Sequence, residues 1–533
     1  MADYFVVSMG GSGSAVANAL VYLTTAGVFE EKVNNLHLLV VDADAAHEGS
    51  MSTYGNALTY GKLREHLNPG NAYSNFKVNI IPYKWDLMVN YGLNNDTKIK
   101  RESFNLGSLA KIDMGGKDLS DYDESVVQAE TLMQALFTSQ ERGQKVLTGY
   151  HAHPAIGAAC GTAAVLSDNG LGGYGSFVKA LKLKLQNEDV KLALVGSLFG
   201  GTGASSLSSL VRAFHDEGKA PGLAGRLSIA GIFLLKYFTF EKPPANMVKG
   251  EEIKTEMFDF GSKNALMYYN HAGLLKKTGA DENGKFDAIY MLGFDKPIPR
   301  AKYADGPGQR NPASFVEMEA AMAIRDFFID RTIDSNDHKR TFFKAIRQYE
   351  QDGTKFYRME WDTFTKGMQL RAWIGKLLKA ALLFNLYFFP NFIRRDGSTK
   401  KQAFQPYECY IENQANASGV AENLREYLLK FEIWCLEVSE TLGNDVEHSQ
   451  MFDYYKFSKL VDFQTKVENK HNIDGASALL KEFDDKKSSF VRGYGGDDFI
   501  KIGAKIQNSS KPAAENGIAE FFELLWNETK LEG

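Results

Sequence analysis

Cysteine is scarce in this chain: three in 533 residues, Cys160, Cys409 and Cys435, far apart and without CxxC spacing. That excludes a zinc ribbon, a redox pair and a disulfide framework, and it fits a reducing, cytoplasmic compartment. Charge of one sign is also missing. Sixty-one basic against 66 acidic side chains leave a net charge of -5, so no overall basic field draws the chain onto nucleic acid. Long apolar runs are absent too. The N-terminal MADYFVVSMGG carries Asp3 and is too short for a secretion signal. The strongest membrane-spanning candidate, Trp373 to Ile393, is interrupted by Lys376, Lys379 and Asn385 and broken by Pro390. A buried helix is expected there, and membrane contact is not indicated. His151 and His153 have no carboxylate cluster beside them, so no metal site is expected. What is present, 44% hydrophobic and 24% charged residues, is the balance of a globular protein with two or three cores.

The chain opens with a β-branched and aromatic run, Tyr4 to Met9, then Gly10-Gly11-Ser12-Gly13-Ser14, then AVANALVYLTTAG with apolar residues at helical spacing. A second apolar run, Leu36 to Val41, reads as a parallel strand buried on both faces and ends in Asp42-Ala43-Asp44. Strand and helix patterns alternate through Val190 to Ser197, Leu207 to His215 and Leu227 to Leu235. The fold class expected is α/β, a doubly wound, mostly parallel sheet. The polar, turn-rich stretch of about 46–148 reads as an insertion, partly helical near Ser125 to Glu141. From Asn311 the patterns become long and helical, predicting a central helix over 311–331. The expected division is a nucleotide-binding domain over 1–331 and a mainly helical domain over 332–533.

Two glycine loops carry the chemistry. In the first, Gly10, Gly11 and Gly13 allow close backbone approach, and the helix that follows presents free N–H groups and a positive dipole end to a phosphate. It is not a Walker A loop, because no GxxxxGKS/T occurs. A Rossmann fingerprint would need a third glycine where Val16 stands, although Asp42 could serve as the ribose carboxylate of an NAD site. The second loop, Gly196-Ser197-Leu198-Phe199-Gly200-Gly201-Thr202-Gly203-Ala204-Ser205, follows VKLALVG and leads into another helix.

GGTGAS resembles the signature loop of the tubulin and FtsZ GTPases, G-G-G-T-G-S/T-G, with Phe199 in place of the first glycine and Ser205 in place of the last. Further stretches in the same order resemble that superfamily's nucleotide site. The resemblance implies that Gly10, Gly11, Ser12 and Gly13 lie under the nucleotide, and that Asp44 in VVDADA takes the second-loop place. In GYHAHPAIG, Ala152 and His153 would face the γ-phosphate, and in the signature loop Gly200, Gly201, Thr202, Gly203 and Ala204 would wrap the phosphates. Glu241 in LLKYFTFEK would contact the ribose, Asn264 in SKNALMYY would read guanine, and Asn311 would close on the base. The implied cofactors are GTP or GDP and Mg2+, and the implied activity is a GTPase coupled to filament assembly.

In that superfamily a loop of pattern N-x-D-F-x-D from a neighbouring subunit orients the attacking water. Here the nearest match, Met359 to Phe364, offers Asp362 first and Glu360 second. The partner implied is a second copy, as homo-oligomer or filament; an unidentified protein could engage the C-terminal helical domain. The alternatives are a GTP-dependent switch or scaffold that does not polymerise, of a membrane-remodelling or defence kind, and an NAD-dependent Rossmann enzyme.

Overall fold

A computed structural model of the chain describes residues 2–29, 32–87, 104–111, 124–147, 149–150, 153–166, 170, 172–218, 220, 223, 225–240, 258–275, 284–294, 298–300, 311–330, 341–344, 348–351, 354–357, 366–388, 417–441 and 517–529. In chain order the elements are β1 (Ala2–Met9), α1 (Gly10–Thr25), β2 (Val33–Asp42), α2 (Glu48–Leu67), β3 (Asn79–Asp86), α3 (Glu124–Leu136), α4 (Ser139–Arg142), α5 (Pro154–Leu166), α6 (Gly173–Leu185), β4 (Val190–Ser197) and α7 (Gly201–Gly218). They continue with β5 (Leu227–Leu234), β6 (Phe238–Phe240), α8 (Phe258–His271), β7 (Ala288–Leu292), β8 (Ile298–Arg300), α9 (Phe315–Arg325), β9 (Thr341–Lys344), β10 (Gln348–Gln351), β11 (Thr354–Tyr357), α10 (Gly367–Leu382), α11 (Ala417–Glu440) and α12 (Gly517–Glu528).

Seven strands form one sheet in the order β3, β2, β1, β4, β5, β7, β9, parallel at every seam. The alternation of side chains along each strand divides the apolar residues between two cores. Val6, Leu38, Val40, Ala193 and Val195 face the core that α1, α2 and α9 cover. Phe5, Val7, Leu39, Val41, Leu192 and Leu194 face the core beneath α5, α6, α7 and α8. Helices on both faces bury the sheet twice over, which is why its strands read as nearly continuous apolar runs. The chain steps outward from β1 to β2 and β3, and β4 returns to the other side of β1. The strand order therefore reverses between β1 and β4, which is where ligands of open α/β sheets bind, beyond the carboxyl ends of the strands.

The stretch expected to be an insertion is in part core. Residues 48–67 form α2 and 79–86 form the edge strand β3, in register with β2 from Asn35↔Asn79 to Asp42↔Asp86. Pro82 is tolerated because β3 has a partner on one side only. The helical expectation near Ser125 to Glu141 is met by α3 and α4, the latter closed by a capping box between Thr138 and Glu141.

The central helix starts at Phe315 with Ser314 as N-cap, and every residue through Arg325 is buried. It runs on as a π-turn over Asp326–Asp330, where Lys191 Nζ donates to the carbonyls of Phe327 and Phe328 at 2.9 and 3.1 Å. Beyond it the expected domain boundary does not hold as a boundary between cores. β9 joins the main sheet, β10 and β11 pair as an antiparallel hairpin, and α10, α11 and α12 share the core of α1, α2 and α9. Tyr22 of α1 lies against Tyr427, Phe431 and Trp434 of α11 with centroids 5.7, 5.6 and 5.6 Å away. Thr25 and Tyr427 hydroxyls are 2.6 Å apart in the same core. On α12, Glu523 accepts from the Ser74 amide, the Ser74 hydroxyl and the Asn75 side chain. Among the described residues no helix is long and apolar enough to cross a membrane.

Candidate functional site

The two glycine loops meet at the reversal of strand order. Met9 and Gly196, the last paired residues of β1 and β4, are direct neighbours, so the loops that follow emerge side by side. Gly10 has φ +68, and a Cβ there would lie 3.3 Å from the Gly203 nitrogen and from Thr202 Cβ. A side chain at position 10 would be strained and would wedge the loops apart. Gly203 closes the seam from the other side, its imagined Cβ falling 2.8 Å from both the nitrogen and the oxygen of Ser197. Gly13 presses α1 onto the sheet, with a Cβ 2.8 Å from the Val195 oxygen.

This arrangement points the N-termini of α1 and α7 at one spot. Met9 gives α1 no side-chain cap, and neither helix has an acidic residue in its first turn. The first-turn N–H groups of two helices, with the positive ends of two helix dipoles, lie side by side there, a donor set whose chemistry matches an anion. Gly11 and Ser12 are half-buried beside this seam, while Gly201, Thr202, Gly203 and Ala204 form the buried first turn of α7. Gly200 precedes it, its oxygen accepting from the Ala204 amide at 3.3 Å.

Phe199 explains its own departure from a glycine motif. Its ring is 3% exposed, stacks on Phe258 at 4.5 Å and meets Phe238 edge-on at 5.5 Å. The loop is thereby anchored to α8, whose Gly261 would carry a Cβ 3.4 Å from Phe199 Cα. Tyr269 of α8 donates to the Ala204 carbonyl.

A third segment, from the end of β2, borders the first loop. Asp42 is buried and receives the Ser50 hydroxyl and, at 3.3 Å, the Asp44 amide. Burial raises its carboxyl above the usual range, against the opposing pull of His47 and Ser50. Asp44 is 7% exposed and accepts from the Ala46 amide at 2.9 Å. His47 caps α2 by accepting from the Ser50 amide at 3.2 Å, and its ring lies against Gly11, where a Cβ would fall 2.9 Å from Cε1. Sequence reasoning passed over His47 and Ser50; the turn D-A-D-A-A-H-E-G-S, closing on a helix start, was the available signal.

The other expected site residues divide three ways. His153 begins α5, its amide bonded to Tyr150 and its carbonyl to Gly157, and α5 lies on α7 so closely that a Cβ on Gly157 would be 2.3 Å from Ser205 Oγ. The start of α5 is thus carried next to the first turn of α7. Asn264 lies within α8 on an exposed position, and Asn311 precedes the Ser314 cap of α9, so neither is a helix cap. Ala152, Glu241, Glu360 and Asp362 lie outside the described residues. Cys160 is buried, and burial pushes its thiol up to about 12, away from the thiolate form.

Compared with known proteins, the chain is matched by no protein-family model, no curated protein and no solved structure.

Proposed function

We propose that this chain is a nucleotide-binding protein of the tubulin and FtsZ kind, which takes GTP or GDP with magnesium and hydrolyses GTP. The observation that carries the reading is the contact of Gly10 with Thr202 and Gly203 at the reversal of strand order. It makes a cradle that any Cβ would fill, faced by the N-terminus of α1, which has no side-chain cap, and by that of α7, and polyphosphate chemistry fits that donor set. The ordered run of motif resemblances supplies the choice of GTP. Magnesium would be held chiefly by phosphate oxygens, with Asp44 and the Thr202 hydroxyl as oxygen donors from the loops, and would neutralise phosphate charge.

Within this reading the amides of Gly10 to Gly13 and of Gly201 to Gly203 hold the phosphates in place, the Ala204 amide being bonded to the Gly200 carbonyl. Turnover awaits a second copy whose Asp362 and Glu360 orient the attacking water. An NAD site is disfavoured by Asp42, which is buried and bonded to Ser50 rather than open to a ribose. The test is phosphate release from GTP and magnesium as a function of protein concentration, with sedimentation of the same samples. Turnover per subunit that climbs above a critical concentration together with pelleted protein supports a filament-forming GTPase. Binding with flat, slow turnover and no pellet supports a switch or scaffold, and absence of GTP binding removes both.

A further inference from the structure

We propose that His47 donates a hydrogen bond through Nε2 to a phosphate oxygen of the nucleotide seated on the first glycine loop, an inference that rests on the nucleotide reading above. The proton's position follows from the partners of the other ring nitrogen. The Ser50 amide donates to Nδ1 at 3.2 Å, and a backbone N–H cannot accept, so in the neutral ring Nδ1 is bare and Nε2 carries the hydrogen. The Ser50 hydroxyl, 3.3 Å from Nδ1, gives its hydrogen to Asp42. It has Ser14 Oγ within 3.0 Å as a donor in turn. Asp42 Oδ2 itself stands 3.7 Å from Nδ1, beyond hydrogen-bond reach. The relay of Ser14, Ser50 and Asp42 therefore leaves His47 in one tautomer.

The ring is wedged between two glycines. A Cβ on Gly11 would fall 2.9 Å from Cε1 and 3.0 Å from Nε2, and one on Gly49 would fall 2.9 Å from Cε1. Nε2 is thus the ring atom nearest the first loop apart from Cε1, and among the described residues no hydrogen-bond acceptor meets it. The side chain keeps 16% exposure, enough for a ligand on the loop to be reached by its N–H. A phosphate oxygen is the acceptor that this place offers once nucleotide is bound, and a bond to a charged oxygen is of the stronger kind.

The test is calorimetric titration of GTP and of inorganic pyrophosphate into wild type, His47→Leu and His47→Gln. Both variants lose the cap on α2 and should melt together, but only glutamine keeps a donor with the reach of Nε2. The expected result is affinity about tenfold weaker for both ligands in His47→Leu, with most of the loss recovered in His47→Gln. Unchanged binding by His47→Leu, or equal losses in the two variants, overturns the proposal and leaves His47 as a helix cap alone. Wild-type protein that takes up neither ligand overturns the nucleotide reading itself and the role of His47 with it.

Discussion

Gly203→Ala probes the seam between the two loops with a single methyl group. Its Cβ would lie 2.8 Å from both backbone atoms of Ser197, where ordinary contact begins at 3.4 Å. The first turn of α7 must therefore retreat from the end of β4 by about 0.6 Å, because the obstacle is main chain in a close-packed central strand. Two stability terms oppose each other: alanine gains about 1 kcal/mol of helix propensity over glycine, and overpacking costs about 1–3 kcal/mol. The net loss of about 0–2 kcal/mol leaves the protein folded. Binding is more sensitive, because amides displaced by that amount lose charge-assisted bonds of about 1.5–3 kcal/mol each. GTP affinity should fall at least about tenfold. The assay is calorimetric titration, with Gly61→Ala as the control, since a Cβ at position 61 of α2 meets nothing within 4 Å. Equal affinity in Gly203→Ala and wild type would refute the idea that this seam forms the binding surface.

Three further outcomes follow from named contacts. Phe199→Gly, which restores the glycine of the resembled motif, should destabilise by about 3–5 kcal/mol in chemical denaturation, because the ring's packing on Phe238 and Phe258 is lost; a neutral result would mean that the loop is not anchored there. Burial, resisted by Asp3, holds the His37 imidazole at about 4 instead of 6.5. The unfolded chain then binds the extra proton between those values, so stability is complete above pH 6.5 and falls as pH drops toward 4, by about 3 kcal/mol over the full span. His37→Phe should flatten that slope in urea midpoints, and an unchanged slope would assign it to other groups. Glu523→Ala removes the acceptor of three donors from Ser74 and Asn75; α12 should loosen by about 2 kcal/mol, read as faster amide exchange in that helix.

Which elements were legible follows from what each buries. β1, β2, β4 and β5 are covered on both faces, and their apolar runs announce them. α2 hides because the side it buries includes Ser50, Thr53 and Asn56 along with Ala57, Tyr60 and Leu63, so no apolar stripe marks it as a helix. Thr53 bonds the Ser14 carbonyl at 2.9 Å and Asn56 the Tyr22 hydroxyl at 3.1 Å, which satisfies these polar groups against α1. β3 hides because it is an edge strand that contains Pro82 and buries only Ile80 and Trp85 fully. The helices α10 to α12 were legible as helices from their spacing. Their partners were not, since nothing local shows that Tyr427 will meet Tyr22 across more than 400 positions of chain.

Three glycines of the two loops are fixed in place by different steric demands. Gly10 is required by a positive φ and by the facing loop, Gly13 by the Val195 carbonyl, and Gly203 by the backbone of Ser197. Gly55 and Gly61, in the middle of α2, meet nothing within 4 Å, and each costs its helix about 0.5–1 kcal/mol relative to alanine. The first three have different physical causes yet converge on one point of the sheet, the reversal between β1 and β4. Convergence of independent steric demands is hard to obtain from packing alone, because a fold seeking only stability would fill that end with side chains. What those demands preserve in common is a close approach of main chain at two helix ends that carry no acidic residue in their first turns, the donor set on which the proposed polyphosphate site depends.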